Sequence, residues 1–303
     1  MALLIDSPAV ARRDDGVLRV TGPDRLAYLH SLLSQDLEGA SAGTAADFLY
    51  LDAKGNPQAM GRAVVVAGAV LLVVPAQVAA QFAQALERFT FLLEAVTEDL
   101  SSQWRVASAR GPSGVELPGA RSQLMTVAPA GDGFVVRDRS GGVDMIGPAA
   151  WVADRSAAAD LPPASSGEWD AWRIQAGEPA WGREVVEGRR AQELGLLPTH
   201  VHLRKGCYPG QESIAKIYNL GRPRRVLAVA EFAGPVAPGD VVDAAGKPGE
   251  VTSAAPAGDV HAALVLVPVD RDGEIVGDGT LVAGDNRGRV RRLVGAQMAI
   301  PGA

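Results

Sequence analysis

Lys205-Gly206-Cys207-Tyr208-Pro209-Gly210-Gln211-Glu212 crowds two glycines and a proline into eight positions, so its backbone must turn tightly and irregularly. The spacing that follows, with Ile214, Ile217 and Tyr218 inward and Gly221 as a stop, predicts a helix from about Gln211 to Leu220. Cys207 then stands beside a helix N-terminus, where unpaired N–H groups and the positive dipole end favour thiolate over thiol. Lys205 pushes the same way. A thiol so placed is a candidate nucleophile, redox-active group or soft-metal ligand. The alternative is a small buried hydrophobe, since free cysteine is among the most buried residue types.

One thiol does not hold an iron–sulfur cluster, which takes about four ligands. His200 and His202 share a face of an extended stretch and with Cys207 would offer three zinc ligands, but closed zinc sites use four. No metal site is expected. His30 and His261 read as packed or surface histidines. The chain has no Gly-x-Ser-x-Gly elbow, no phosphate loop ending in Lys-Ser or Lys-Thr, and no Gly-x-Gly-x-x-Gly between a strand and a helix. Hydrolase, nucleotidase and Rossmann dehydrogenase readings lose their main support.

Upstream of the cysteine segment, Pro162-Pro163-Ala164-Ser165-Ser166-Gly167 precedes a short helix carrying Trp169 and Trp172. Gly133-Phe134-Val135-Val136 reads as a strand. Nearer the N-terminus, Thr21-Gly22-Pro23-Asp24 offers a cap and an acidic first turn leading into Leu26, Leu29, Leu33 and Leu37 at helical spacing. A strand from Ala46 runs into the Lys54-Gly55-Asn56 turn, and Ala63 to Val74, interrupted by Gly68, reads as a buried hairpin. A second helix is expected over about Gln77 to Leu93, with Val78, Phe82, Leu86, Phe89 and Leu93 on one face. Val96 to Ala109 returns to strand and ends at the Gly111-Pro112-Ser113-Gly114 break.

Downstream of Arg225 the texture changes to short apolar runs, Val226 to Phe232, His261 to Val269 and Val290 to Val294, separated by turn residues; this spacing suits a small antiparallel barrel. The expected architecture is α+β in three domains: an N-terminal α+β domain over 1–110, a middle α+β domain over 111–222 ending in the cysteine segment, and a barrel over 223–303. The first two are allowed to be discontinuous.

A net charge of −6 on 303 residues argues against general nucleic-acid binding, although Arg222, Arg224 and Arg225 form a local basic cluster. The opening Met1-Ala2-Leu3-Leu4-Ile5-Asp6 lacks the basic start of a signal peptide, and Ala63 to Val74 is too short to span a membrane. A single cysteine excludes an intramolecular disulfide and fits a reducing compartment. The expectation is a cytoplasmic protein with no membrane partner.

Lys205 to Glu212 also carries in full the hallmark Lys-Gly-Cys-(Phe or Tyr)-x-Gly-Gln-Glu, and the chain resembles the YgfZ-type proteins. These are folate-binding factors of iron–sulfur cluster assembly and repair, within the superfamily of the glycine-cleavage T-protein aminomethyltransferases. The likeness extends to Val20 to Arg25, Leu33 to Leu37, Leu51 to Asn56, Trp172 to Gly177, Trp181 to Glu184 and Glu193 to Leu196. It implies three domains in a ring, the barrel last.

The resemblance implies bound tetrahydrofolate or a derivative and iron–sulfur client or assembly proteins as partners, tRNA-modifying radical enzymes among the clients. Cys207 would be the reactive residue, with Lys205 beside it. A pterin wants an aromatic face and a carboxylate or amide for its donor and acceptor edge, types that Trp181 and Glu184 supply, while Arg173 and Arg222 suit an anionic glutamate tail. Tyr208, Gln211 and Glu212 complete the implied cofactor set. Two departures separate the chain from the aminomethyltransferases: Pro75 to Leu86 contains no acidic residue where they carry an aspartate, and Gln175 stands where they carry glutamate. A one-carbon transferase, with Asp52 or Asp99 supplying the missing acid, and a folate scaffold with an inert Cys207 are the competing functions.

Overall fold

A computed structural model describes residues 6–89, 93–220 and 223–295. The first part carries β1 (Ala9–Arg13), β2 (Asp15–Thr21), α1 (Arg25–Leu32), β3 (Thr44–Leu51), β4 (Pro57–Val66), β5 (Ala69–Pro75) and α2 (Ala76–Glu87). The middle adds β6 (Val96–Asp99), β7 (Trp104–Arg110), β8 (Thr126–Ala130), β9 (Gly133–Arg137), β10 (Val143–Pro148) and α3 (Ala149–Ala158). Next come β11 (Pro163–Ala164), α4 (Ser166–Ala176), α5 (Leu197–His200) and α6 (Gln211–Leu220). The last part is all strand: β12 (Arg225–Phe232), β13 (Val241–Ala244), β14 (Lys247–Ala257), β15 (Val260–Pro268), β16 (Thr280–Ala283) and β17 (Asn286–Leu293).

The fold is α+β, and two sheets carry it. The larger has eleven strands in the order β11-β1-β7-β10-β9-β8-β3-β4-β5-β2-β6, and the smaller is a closed barrel, β12-β15-β14-β13-β16-β17. The large sheet runs unbroken across residues 110 and 111, because β10 pairs antiparallel with β7 on one side and with β9 on the other. Closure of the barrel leaves it no unpaired edge.

The Ala63–Val74 hairpin forms as expected: Val66 faces Ala69 across a turn whose Gly68 sits at φ 75°. α6 spans the expected residues and buries Ile214, but Tyr218 points outward and is 40% exposed. Gly221, Arg222 and the side chain of Ile217 lie outside the described residues. α1 is shorter than its leucine spacing predicts. Leu33 turns extended to bridge Tyr50, and Ser34 N donates to the Leu49 carbonyl, so pairing with β3 ends the helix while Leu33 and Leu37 stay buried. α2 ends at Glu87, leaving Phe89 47% exposed. α4 starts at a capping box in which Ser165 and Glu168 satisfy each other's backbone N–H, and it stops at Gly177 in the left-handed conformation.

α1 and α2 cover one face of β2–β5 around Leu18, Tyr28, Phe48, Leu72 and Phe82. A second apolar cluster joins Leu49 and Leu51 of β3, Ile174 of α4, Tyr208 and Ile214 to Leu227, Leu264 and Leu266 of the barrel. The cysteine segment is therefore seated where the large sheet meets the barrel.

Candidate functional site

The turn before α6 is built around Lys205. Its side chain is buried, and its ammonium donates to the carbonyls of His30, of Leu33 at 2.6 Å and of Gln35 at 3.4 Å, the last carbonyls of α1 and the chain just beyond. A cation is favoured at that end of a helix dipole. It also lies 4.8 Å from the centre of the Tyr208 ring. Burial pulls its pKa down to about 8, against the pull of Asp36. The charge expected to polarise the thiol is thus committed to anchoring the turn. Gln211 Nε2 closes the turn by donating to the Lys205 carbonyl at 3.3 Å. Gly210 adopts φ 80°, and a Cβ there would stand 2.6 Å from the Asp52 carbonyl oxygen, so only glycine fits.

Cys207 is exposed, which removes the reading of a buried small hydrophobe. Tyr208 is 7% exposed, and its hydroxyl has no hydrogen-bond partner among the described residues. Burial pushes its pKa up to about 12. Glu212 sits exposed in the first turn of α6. His202 is exposed as well, and no group of three or more His, Cys, Asp or Glu side chains among the described residues is arranged to hold a metal ion.

Arg173 and Glu184 meet, but in the interior. Arg173 Nη1 donates to Glu184 Oε2 at 3.2 Å, its Nη2 to Ser253 Oγ at 2.8 Å and its Nε to Asp170 Oδ1 at 2.6 Å. Glu184 is 0% exposed and accepts further from Ala180 N at 2.9 Å and Ser253 Oγ at 2.6 Å. Ser253 belongs to β14, so the pair ties α4 to the barrel. Trp181 is partly buried between the first two apolar clusters.

A cavity of about 420 Å³ opens where the large sheet, the segment after α4 and the end of the barrel meet. Its size is in the range of small-molecule and cofactor sites. Met60, Val74, Pro75, Ile146 and Leu196 give it apolar walls. Arg13, Asp15, Asp47, Arg62, Arg110, Arg139, Asp144, Glu178, His200 and Arg292 give it charge. None of Arg173, Trp181, Glu184, Cys207, Tyr208, Gln211 or Glu212 lines it, and Arg222 is outside the described residues. Asp52 is bound to its own turn through the backbone N–H groups of Lys54 and Asn56, Asp99 caps Ser101 N, and neither reaches the cavity.

The charges form a chain of alternating sign. Arg139 Nη2 lies 3.3 Å from Asp47, Asp47 lies 2.8 Å from Arg62, Arg62 lies 2.5 Å from Asp144, Asp144 lies 2.7 Å from Arg110, and Arg110 lies 2.5 Å from Asp138. Ser108 Oγ donates to Asp144 at 2.7 Å. Burial would raise the Asp144 carboxyl, but the Arg110 and Arg62 guanidiniums hold it well below the usual range. Arg110 and Arg13 rest on the rings of Trp172 and Trp169, at 5.3 and 4.1 Å from the centroids, so these tryptophans floor the cavity's cations. Arg110 Nε is buried with no hydrogen-bond partner among the described residues.

Burial displaces the titration of three groups here. Desolvation lowers the His200 pKa to about 4, so the imidazole is neutral at pH 7. Burial raises the Asp15 carboxyl despite Arg13, and raises Glu178 to about 6 despite Arg110. In the unfolded chain Glu178 returns to an ordinary 4.5, so folding binds a proton between pH 4.5 and 6 and the ionised carboxylate weighs against the folded state at higher pH. Glu178→Gln is expected to stabilise the fold by about 1–2 kcal/mol at pH 7.5 and to lose that advantage near pH 4.5. Denaturant midpoints of both proteins across this range check it.

Apart from His200, weighed as a metal ligand, and Ala176, Gly177, Gly195 and Leu196, which lie in the stretches that carry the family likeness, the cavity residues escaped sequence reasoning because they come a few at a time from separate strands and loops. The available signal was charge inside apolar strands: Asp47 within Thr44–Leu51, Arg62 within Pro57–Val66 and Asp144 within Val143–Pro148.

The whole arrangement has the fold of a known protein. The glycine cleavage system aminomethyltransferase T from Bartonella henselae superposes with a TM-score of 0.80 at 18% sequence identity, covering 98% of this chain and 88% of that one. In sequence, the chain is 26% identical over 259 residues to a putative chloroplastic transferase of Arabidopsis thaliana, a match covering 78% of this chain and 59% of that longer protein. No protein family's sequence profile matches. Among the described residues no helix is long and apolar enough to cross a membrane.

Proposed function

We propose that this chain binds tetrahydrofolate in the 420 Å³ cavity and uses Cys207, outside it, to assist assembly or repair of iron–sulfur clusters in client enzymes, among them tRNA-modifying radical enzymes. The observation that carries the reading is the exposed thiol on a buried lysine anchor, within the full eight-residue hallmark. The cavity residues suit the ligand: Met60, Val74 and Ile146 offer apolar faces to a flat ring, and Asp15 and Glu178 offer carboxyls to its N–H edge. Arg139, Arg13 and Arg292 offer cations to an anionic tail. Cluster chemistry would take place on the client, with the protein contributing the thiol.

Cys207→Ser is expected to bind tetrahydrofolate within about twofold of wild type, because the thiol is outside the cavity, and to leave client-enzyme activity at least about tenfold lower in a background lacking the protein. Full restoration of activity by the serine variant would overturn the reading.

A second reading, a folate-dependent one-carbon transferase, is favoured by the two raised carboxyls in the cavity and by the named activities of the two similar proteins. Turnover of an aminomethylated or methylated donor that depends on Asp15 or Glu178 would establish it.

A further inference from the structure

Ser34 and Gln35, just past α1, touch the cavity wall, and Gln35 also touches the cysteine turn. Ser34 Oγ donates to the His200 carbonyl at 2.6 Å and accepts from Leu49 N at 2.8 Å, and the Ser34 carbonyl accepts from His202 N at 2.8 Å. Gln35 Nε2 reaches the carbonyls of Asp47 at 3.2 Å and Thr199 at 3.3 Å. The Thr199 carbonyl also accepts from Arg139 at 3.4 Å, and Asp47, Arg139, Thr199 and His200 all line the cavity. On the other side, the Gln35 carbonyl accepts from Lys205 at 3.4 Å, two residues before Cys207. Ser34 is 0% exposed, so part of this strap is shielded from water, where hydrogen bonds are strong and costly to leave unmade.

We propose that Gln35 is a positioning residue that carries occupancy of the cavity to Cys207, so that a ligand held there orders the turn from Lys205 to Gly210. A ligand packed against Thr199 and His200 opposes the opening of the strap, and the closed strap keeps the Gln35 carbonyl on Lys205 beside the carbonyls of His30 and Leu33. The coupling free energy is the ligand's preference for the closed strap over the open one. A contiguous chain of hydrogen bonds runs the whole way, from Arg139 through Thr199, Gln35 and Lys205. The inference rests on the tetrahydrofolate reading, and the experiment separates the two.

Hydrogen exchange at residues 203–210 of the full chain is measured with and without tetrahydrofolate, alongside calorimetry on the same samples. In wild type, binding heat with exchange of the turn slowed about threefold or more is expected; in Gln35→Ala, binding heat without that slowing. If Gln35 merely supported the structure, the variant's turn would exchange faster in both states but keep the ligand's slowing, which overturns the proposal. Wild-type heat with unchanged exchange overturns it too and spares the folate reading. Absence of heat overturns both. If Gln35→Ala does not fold, Gln35→Glu, which keeps the size of the side chain and removes its Nε2 donor, takes its place in the same comparison with the same expected and overturning results.

Discussion

Asp144→Ala is expected to destabilise the protein by about 3–5 kcal/mol, the cost of breaking a buried ion pair by removing one partner. Two guanidiniums converge on this carboxylate, Arg62 at 2.5 Å and Arg110 at 2.7 Å, and Arg110 is 2% exposed. Alanine leaves Arg110 to Asp138 and Arg62 to Asp47, each with half its compensating charge. The loss also reaches the cavity, since both arginines line it and would turn toward whatever acceptors remain. Ligand affinity should fall together with stability, and calorimetry beside a denaturant titration checks the two. Asp144→Asn keeps an acceptor for Ser108 and should cost less. The sign with pH is fixed by the depressed carboxyl: its contribution is complete above about pH 4 and is lost as pH falls through the folded value, so wild type and Asp144→Asn should converge only in strong acid.

What the sequence revealed followed the range of the forces involved. α6, α4 and the β4–β5 hairpin depend on residues within a few positions of each other, so turn residues and apolar spacing located them. The end of α1 did not follow its leucines, because the competitor was a strand partner, Tyr50, distant in sequence. The continuity of the large sheet was hidden for the same reason: β10 and β7 are separated by a loop, a hairpin and an irregular stretch, and nothing local announces their pairing. In the candidate site, Cys207 stood out through its motif. The cavity did not, since its ionic chain draws Asp47, Arg62, Arg110 and Asp144 from four strands and acquires meaning only when they close together. Lys205, Arg173 and Glu184 were chosen by residue type, and residue type does not announce that Lys205 meets backbone carbonyls while Arg173 and Glu184 meet each other.

Glu184 offers the sharpest trial of that distinction. A carboxylate that reads a ligand can be removed with a loss of affinity and little loss of stability. Glu184 instead accepts from Arg173, Ala180 N and Ser253 at 0% exposure, and Arg173 is itself 4% exposed. Glu184→Ala therefore strips a buried guanidinium of its fully buried partner, leaving Asp170, and strips a backbone N–H of its acceptor. The expected cost is again about 3–5 kcal/mol. Because Ser253 lies on β14, the damage should fall on the junction between α4 and the barrel. Denaturant unfolding of the alanine variant should show the lowered midpoint, and replacing Arg173 and Glu184 together by methionine and leucine should recover much of it, since the one carboxylate then left without Arg173, Asp170, is 37% exposed and solvated. A Glu184→Ala protein as stable as wild type, but with tetrahydrofolate affinity reduced at least about tenfold, would return Glu184 to the ligand and show that the junction opens to admit it.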